Sequence, residues 1–112
     1  MSVQAIQLTE QDNNKNLAIT VGDIFTVRLD ENPTTGYVWS VEGMADVLIL
    51  QNTDYVTNSI SKGEIMTGVG GKKTFAFIAN AVGTVTLRFK EWRAWEGDSS
   101  IVNKFAVKIQ VK

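Results

Sequence analysis

The chain has no cysteine, no histidine and a single proline. Without cysteine no disulfide can brace the fold, so stability must come from apolar burial and the hydrogen-bonded backbone, and a reducing compartment is permitted. The missing histidine and cysteine together remove the usual general base, the usual thiol nucleophile and the two commonest transition-metal ligands. Catalysis is therefore disfavoured, and no cofactor or metal is expected. Asp30 and Glu31 are sequence neighbours whose side chains point to opposite sides of an extended chain, which does not suit paired acid/base chemistry. No apolar run approaches the ~20 residues of a membrane span. The opening MSVQAIQLTE has neither the basic start nor the apolar stretch of a signal peptide, so a soluble chain with no membrane partner is expected. Eleven Lys and Arg stand among twelve Asp and Glu, for a net charge of −1. No basic stripe suited to phosphates is visible in that mixture, and nucleic acid is not an expected partner.

What is present is alternation. A chain of 112 residues suits one domain, residues 1–112, with a single core. Phe25, Val27 and Leu29 share one parity; so do Val85, Leu87 and Phe89, and again Phe105, Val107, Ile109 and Val111. Each run has the period of a half-buried strand, the last with Lys104, Lys108, Gln110 and Lys112 at outward positions. Tyr37, Trp39 and Val41 form a shorter inward set, and Phe75 and Phe77 share a face. Residues 47–55 read as mostly apolar β-structure, and residues 3–8 and 17–21 add two short candidates. Turn signals at 12–16, 21–23, 42–43, 79–83 and 96–98 separate these segments. Seven or eight short strands at this spacing predict an all-β fold, an immunoglobulin-like antiparallel β-sandwich.

In such a sandwich alternate loops gather at one end, and the loops at 31–36, 58–72 and 93–101 fall together. They are also the three with unusual composition. In the first, Pro33 fixes its own φ and restricts Asn32, whose side chain can cap the turn. Thr34 and Thr35 are stiff at χ1, and Gly36 permits a positive φ. An ordinary rigid turn would account for these residues taken alone. The second loop holds four of the nine glycines. It fails the phosphate-binding pattern because Lys73, not Ser or Thr, follows Gly71-Lys72. It reads either as a flexible connection or as a backbone able to lie flat against a partner, since Gly68, Gly70 and Gly71 lack side chains. The third, EWRAWEGDSS, sets two tryptophans and an arginine beside a turn. Trp92 opposes the parity of Phe89, which puts it on the other face or at a bulge. Trp95 lies past the strand, and Trp and Arg at a loop are residue types enriched in binding hot spots.

Taken in order, N-P-T-T-G-Y, then G-x-G-G, then R-x-W, these motifs resemble the chagasin family of protein inhibitors of papain-like cysteine peptidases. The first is complete as Asn32, Pro33, Thr34, Thr35, Gly36 and Tyr37, and the second as Gly68, Val69, Gly70 and Gly71. The third keeps Arg93 and Trp95 but has Ala94 where the family usually has proline. The resemblance implies a non-enzymatic, tight-binding, reversible inhibitor, monomeric when free, whose partner is a papain-like cysteine peptidase. The first loop would enter the peptidase cleft, with the other two flanking it. Two other readings compete: a carbohydrate- or ligand-binding sandwich that stacks its ligand on Trp92, Trp95 and Tyr37, and a plain structural module. Neither calls for three unusual loops at one end.

Overall fold

The computed structural model describes residues 5–57 and 70–112. Eight strands are present among them: β1 (Ala5–Leu8), β2 (Asn16–Ile19), β3 (Ile24–Glu31), β4 (Val38–Glu42), β5 (Leu48–Thr57), β6 (Gly71–Ala79), β7 (Gly83–Trp92) and β8 (Asn103–Val111). They form two four-stranded sheets, ordered β1-β3-β6-β5 and β2-β8-β7-β4, and the described helical segments are single 3-10 turns. The alternating residues do as their period requires. Phe25, Val27 and Leu29 of β3, Phe75 and Phe77 of β6, Leu87 and Phe89 of β7, and four apolar residues of β8 all face the space between the sheets.

One feature departs from the antiparallel expectation. β1 pairs with β3, and β2 with β8, in parallel. After β1 the chain crosses at residues 9–15 to the opposite sheet for β2 and then returns for β3. With one reversal spent in the other layer, β1 and β3 run the same way, and long crossovers are what parallel pairs need. The other four pairings are antiparallel. Tyr37 also departs from expectation. It precedes β4 and is only half-buried, while Trp39 of the same parity is in the core.

All five phenylalanines of the chain belong to one connected set of rings. Phe25 stacks on Phe77 at 5.1 Å between centroids, and Phe89 meets Phe75, Phe77 and Phe105 edge-on at 5.1, 6.1 and 5.6 Å. Phe89 is the hub that joins the two sheets. Phe75 and Phe77 belong to one sheet and Phe89 and Phe105 to the other, and edge-on pairs of this kind add stabilisation beyond their buried area.

Phe89→Ala is expected to lower the free energy of unfolding by about 3–5 kcal/mol, the cost of a lost buried aromatic together with the cavity left behind. Urea unfolding of the variant checks this, and a loss below about 1 kcal/mol would show that another contact holds the sheets together.

Candidate functional site: the three-loop end

Strand register brings the loop roots together. Glu31 and Thr57 both pair with Gly71, Val38 pairs with Trp92, and Glu91 pairs with Asn103. The connections at 32–37, 58–70 and 93–102 therefore leave the same end of the sandwich. Gly68 and Val69, expected in the second motif, lie outside the described residues.

Residues 32–37 are folded upon themselves. Asn32 Oδ1 accepts the Thr34 hydroxyl at 2.6 Å and the Thr34 backbone N–H at 3.2 Å. The Asn32 carbonyl accepts the Thr35 hydroxyl at 2.7 Å and the Thr35 N–H at 3.1 Å. Pro33–Thr35 thereby make a single 3-10 turn, the local bonding that Asn and Thr favour over a strand ladder. Gly36 closes the turn at φ +83°, and a Cβ there would come within 2.9 Å of the Trp95 ring. The backbone conformation favours glycine at this position, and a larger residue would also have to displace the exposed Trp95 ring. Thr34 and Thr35 are exposed.

The third loop braces the first. Arg93 Nε and Nη2 donate to the Thr35 carbonyl at 3.2 and 2.9 Å, and the guanidinium lies 4.3 Å from the Tyr37 ring centroid. Its Nη1 meets Glu96 at 3.4 Å. The arginine is thus occupied inside the protein: a planar fork on a carbonyl, stacked on an aromatic face, does what a lysine could not. Trp95 touches Gly36 along one ring edge and is otherwise 73% exposed. Ala94 opens a 3-10 turn, Ala94–Glu96. In the absence of proline there, Ser100 holds the loop: its Oγ accepts the Arg93 N–H at 2.9 Å and reaches the Gly97 and Arg93 carbonyls at 2.7 and 2.9 Å. Trp92 is resolved to the outer face. Its indole N–H donates to Ser40 at 3.0 Å and Lys90 covers its ring at 3.7 Å.

Gly71 has an internal reason to be glycine, because a Cβ would meet the Val56 carbonyl at 2.2 Å and the Tyr55 hydroxyl at 2.7 Å. Gly70 is half-buried beside it. At the foot of the first loop stands Glu31, the one buried charged residue among the described residues, 6% exposed. Its Oε1 accepts the Trp39 backbone N–H at 2.7 Å and faces the Lys73 ammonium at 3.6 Å. Sequence reasoning missed this pair, although a signal exists. Glu31 continues the inward parity of Phe25, Val27 and Leu29, and Lys73 that of Phe75 and Phe77.

Beside this root lies an exposed cluster of Glu10, Asp30 and Lys72. Lys72 pairs with Asp30 and holds its carboxyl below the ordinary value, and the lysine is raised in return. Glu10 accepts the Asp30 backbone N–H at 3.2 Å, and its carboxyl is raised by burial and then by Asp30. The two carboxyl shifts act oppositely on stability. The lowered Asp30 contributes above its unfolded value and loses that contribution as pH falls. The raised Glu10 contributes below its unfolded value and loses it as pH rises. Among the described residues no grouping of acidic side chains could hold a metal ion.

Comparison with known proteins identifies the family and the fold. Residues 18–109 match the family model described as Chagasin family peptidase inhibitor I42. Chagasin of Trypanosoma cruzi is 28% identical over 102 residues, covering 90% of this chain and 93% of the relative. Amoebiasin-1 of Entamoeba histolytica is 30% identical over 108 residues, covering 96% and 100%. The crystal structure of the cysteine protease inhibitor EhICP2 from Entamoeba histolytica superposes with a TM-score of 0.85 at 26% identity, covering 96% of each chain. With a family match over most of its length and the same sandwich beneath it, the chain belongs to the chagasin family of peptidase inhibitors.

Proposed function

We propose that this cysteine-peptidase inhibitor acts as a preformed wedge. The loop at 31–36 enters the active-site cleft of a papain-like peptidase, with Thr34 and Thr35 at the catalytic centre. Residues 58–72, which include Gly68, Val69, Gly70 and Gly71, flank it on one side, and residues 93–101 with Trp95 flank it on the other. The observation that carries this reading is the double hold on the loop, by Asn32 from within and by Arg93 on the Thr35 carbonyl from outside. A tip already fixed in shape loses little further entropy on binding. Its Thr35 carbonyl is engaged by a guanidinium and is not free to take up the geometry of a scissile bond, which favours an inhibitor over a substrate. Arg93 accordingly contributes as a brace. The glycan-platform reading is disfavoured because two of its three rings already carry a cation, Trp92 under Lys90 and Tyr37 under Arg93.

Titration of papain with the protein, followed with a fluorogenic peptide, is expected to give stoichiometric, reversible loss of activity competitive with substrate. Mass spectrometry after denaturing the complex should return intact inhibitor; a covalent adduct or a cut chain would refute the mechanism.

Thr34→Asp should leave the sandwich folded and weaken inhibition at least a hundredfold, about 2.7 kcal/mol, because it places an unpaired charge in a desolvated cleft and also removes the hydroxyl that Asn32 holds. Equal inhibition by variant and parent would show that this loop stays outside the cleft.

Trp95→Ala should cost about 2–4 kcal/mol of binding with little change in stability, the pattern of an exposed hot spot. Melting temperature and inhibition constant, measured on the same variant, check both halves. A large fall in stability with unchanged inhibition would make the residue structural.

A further inference from the structure

The strands that carry the first loop, β3 and β4, lie in different sheets. No ladder hydrogen bonds join them, so the gap at the loop's root must be set some other way. Side chains at that root supply the links. The Glu31 carboxylate accepts the Trp39 N–H at 2.7 Å, and the Trp39 indole N–H donates to the Asp30 carbonyl at 2.7 Å. Lys73, from β6, stands 3.6 Å from the same carboxylate oxygen and donates to the Trp39 carbonyl at 3.3 Å. The Tyr55 hydroxyl of β5 donates to the Glu31 carbonyl at 3.2 Å. Residues 30–31 before the loop and Trp39 after it are thereby tied to each other and to two further strands.

A carboxylate placed this deep is poorly explained by stability. Glu31 and Lys73 have side chains only 4% and 20% exposed. Desolvating two such charges costs about as much as their attraction returns, and apolar residues of similar size often do as well or better. What apolar residues could not do is accept the Trp39 N–H with a directed bond while fixing the lysine on the neighbouring carbonyl.

We propose that Glu31, with Lys73, is a positioning residue for inhibition. It sets the spacing and direction in which the loop at 32–37 leaves the sandwich, without touching the peptidase itself. The inference rests on the wedge reading above. It makes Glu31 the interior counterpart of Arg93, one holding the loop's root and the other its far side.

The test compares Glu31→Gln, which keeps an acceptor for Trp39 but removes the charge facing Lys73, with the double variant Glu31→Leu/Lys73→Met, which replaces the pair by apolar side chains. Three quantities are measured: the urea midpoint, the inhibition constant for papain at a temperature where each variant is folded, and the backbone amide spectrum of the free proteins. The double variant is expected to regain a midpoint close to the parent's while its inhibition constant stays at least tenfold higher. The amide resonances of residues 34–37 should shift or broaden while those of β7 and β8 hold. Glu31→Gln should fall between the double variant and the parent, and it carries the test if the double variant does not fold. Inhibition within twofold of the parent, with unmoved resonances at residues 34–37, would overturn the proposal. Should the parent itself fail to inhibit papain, the wedge reading fails, and the amide spectra still decide whether Glu31 positions the loop.

Discussion

Everything at the loop end depends on the distance between the two sheets, and Phe89 sets it. With no disulfide in the chain, the rings of Phe75 and Phe77 against Phe89 join the two layers directly, and Phe105 packs beside Phe89 in its own sheet. The first loop springs from one sheet and lands on the other, whereas the third stays within the sheet of β7 and β8. Their meeting at Arg93 and Thr35 works only if the layers stand at one spacing. Close packing of aromatic side chains defines such a spacing more sharply than a loose aliphatic core would.

Order then passes outward in stages. The apolar interior ends at Leu29 on β3, and two residues later Glu31 begins a polar layer that faces inward and is fully hydrogen-bonded. Above that layer the asparagine and threonines of the first loop bond among themselves, and Arg93 closes the circuit from the third loop. At the outermost level two side chains face solvent, Thr34 with its hydroxyl still on Asn32 and Trp95 beside Gly36. The conformational entropy of holding these two residues in place is thus lost when the protein folds, before any partner arrives.

Much of this was legible in the sequence, and what was not has physical reasons. Alternation in Phe25 to Leu29, Val85 to Phe89 and Phe105 to Val111 marks the inner faces because burial on one side of a pleated strand imposes period two. Asn32-Pro33-Thr34-Thr35-Gly36 announces its turn through local chemistry. The parallel pairings of β1 with β3 and of β2 with β8 are not local, since they depend on which sheet each short strand joins, and four residues of strand carry no record of that choice. Glu31 and Lys73 were hidden by their charge: their parity points inward, but a carboxylate and an ammonium are read as surface residues unless considered as a pair across neighbouring strands. Tyr37 shares the parity of Trp39 yet lies before the strand begins, where parity no longer assigns a face. Ser100 stands in for the rigidity of a missing proline by accepting the Arg93 N–H and directing its one hydroxyl hydrogen to the Gly97 and Arg93 carbonyls, which only the folded loop reveals.

The pairing of β2 with β8 reaches from Asn16–Ile19 to Lys108–Val111, so an early stretch of chain waits for a late one. On a ribosome emitting residues one at a time, Leu17 and Ile19 have no strand beside them until residues near 110 have left the exit tunnel. Phe89 likewise lacks Phe105 until then. The sheet of β2, β8, β7 and β4 can therefore close only when synthesis of this domain is nearly done, whereas all four strands of the other sheet are made by residue 79. Until that moment its apolar strands are open to chaperones and to other unfinished chains.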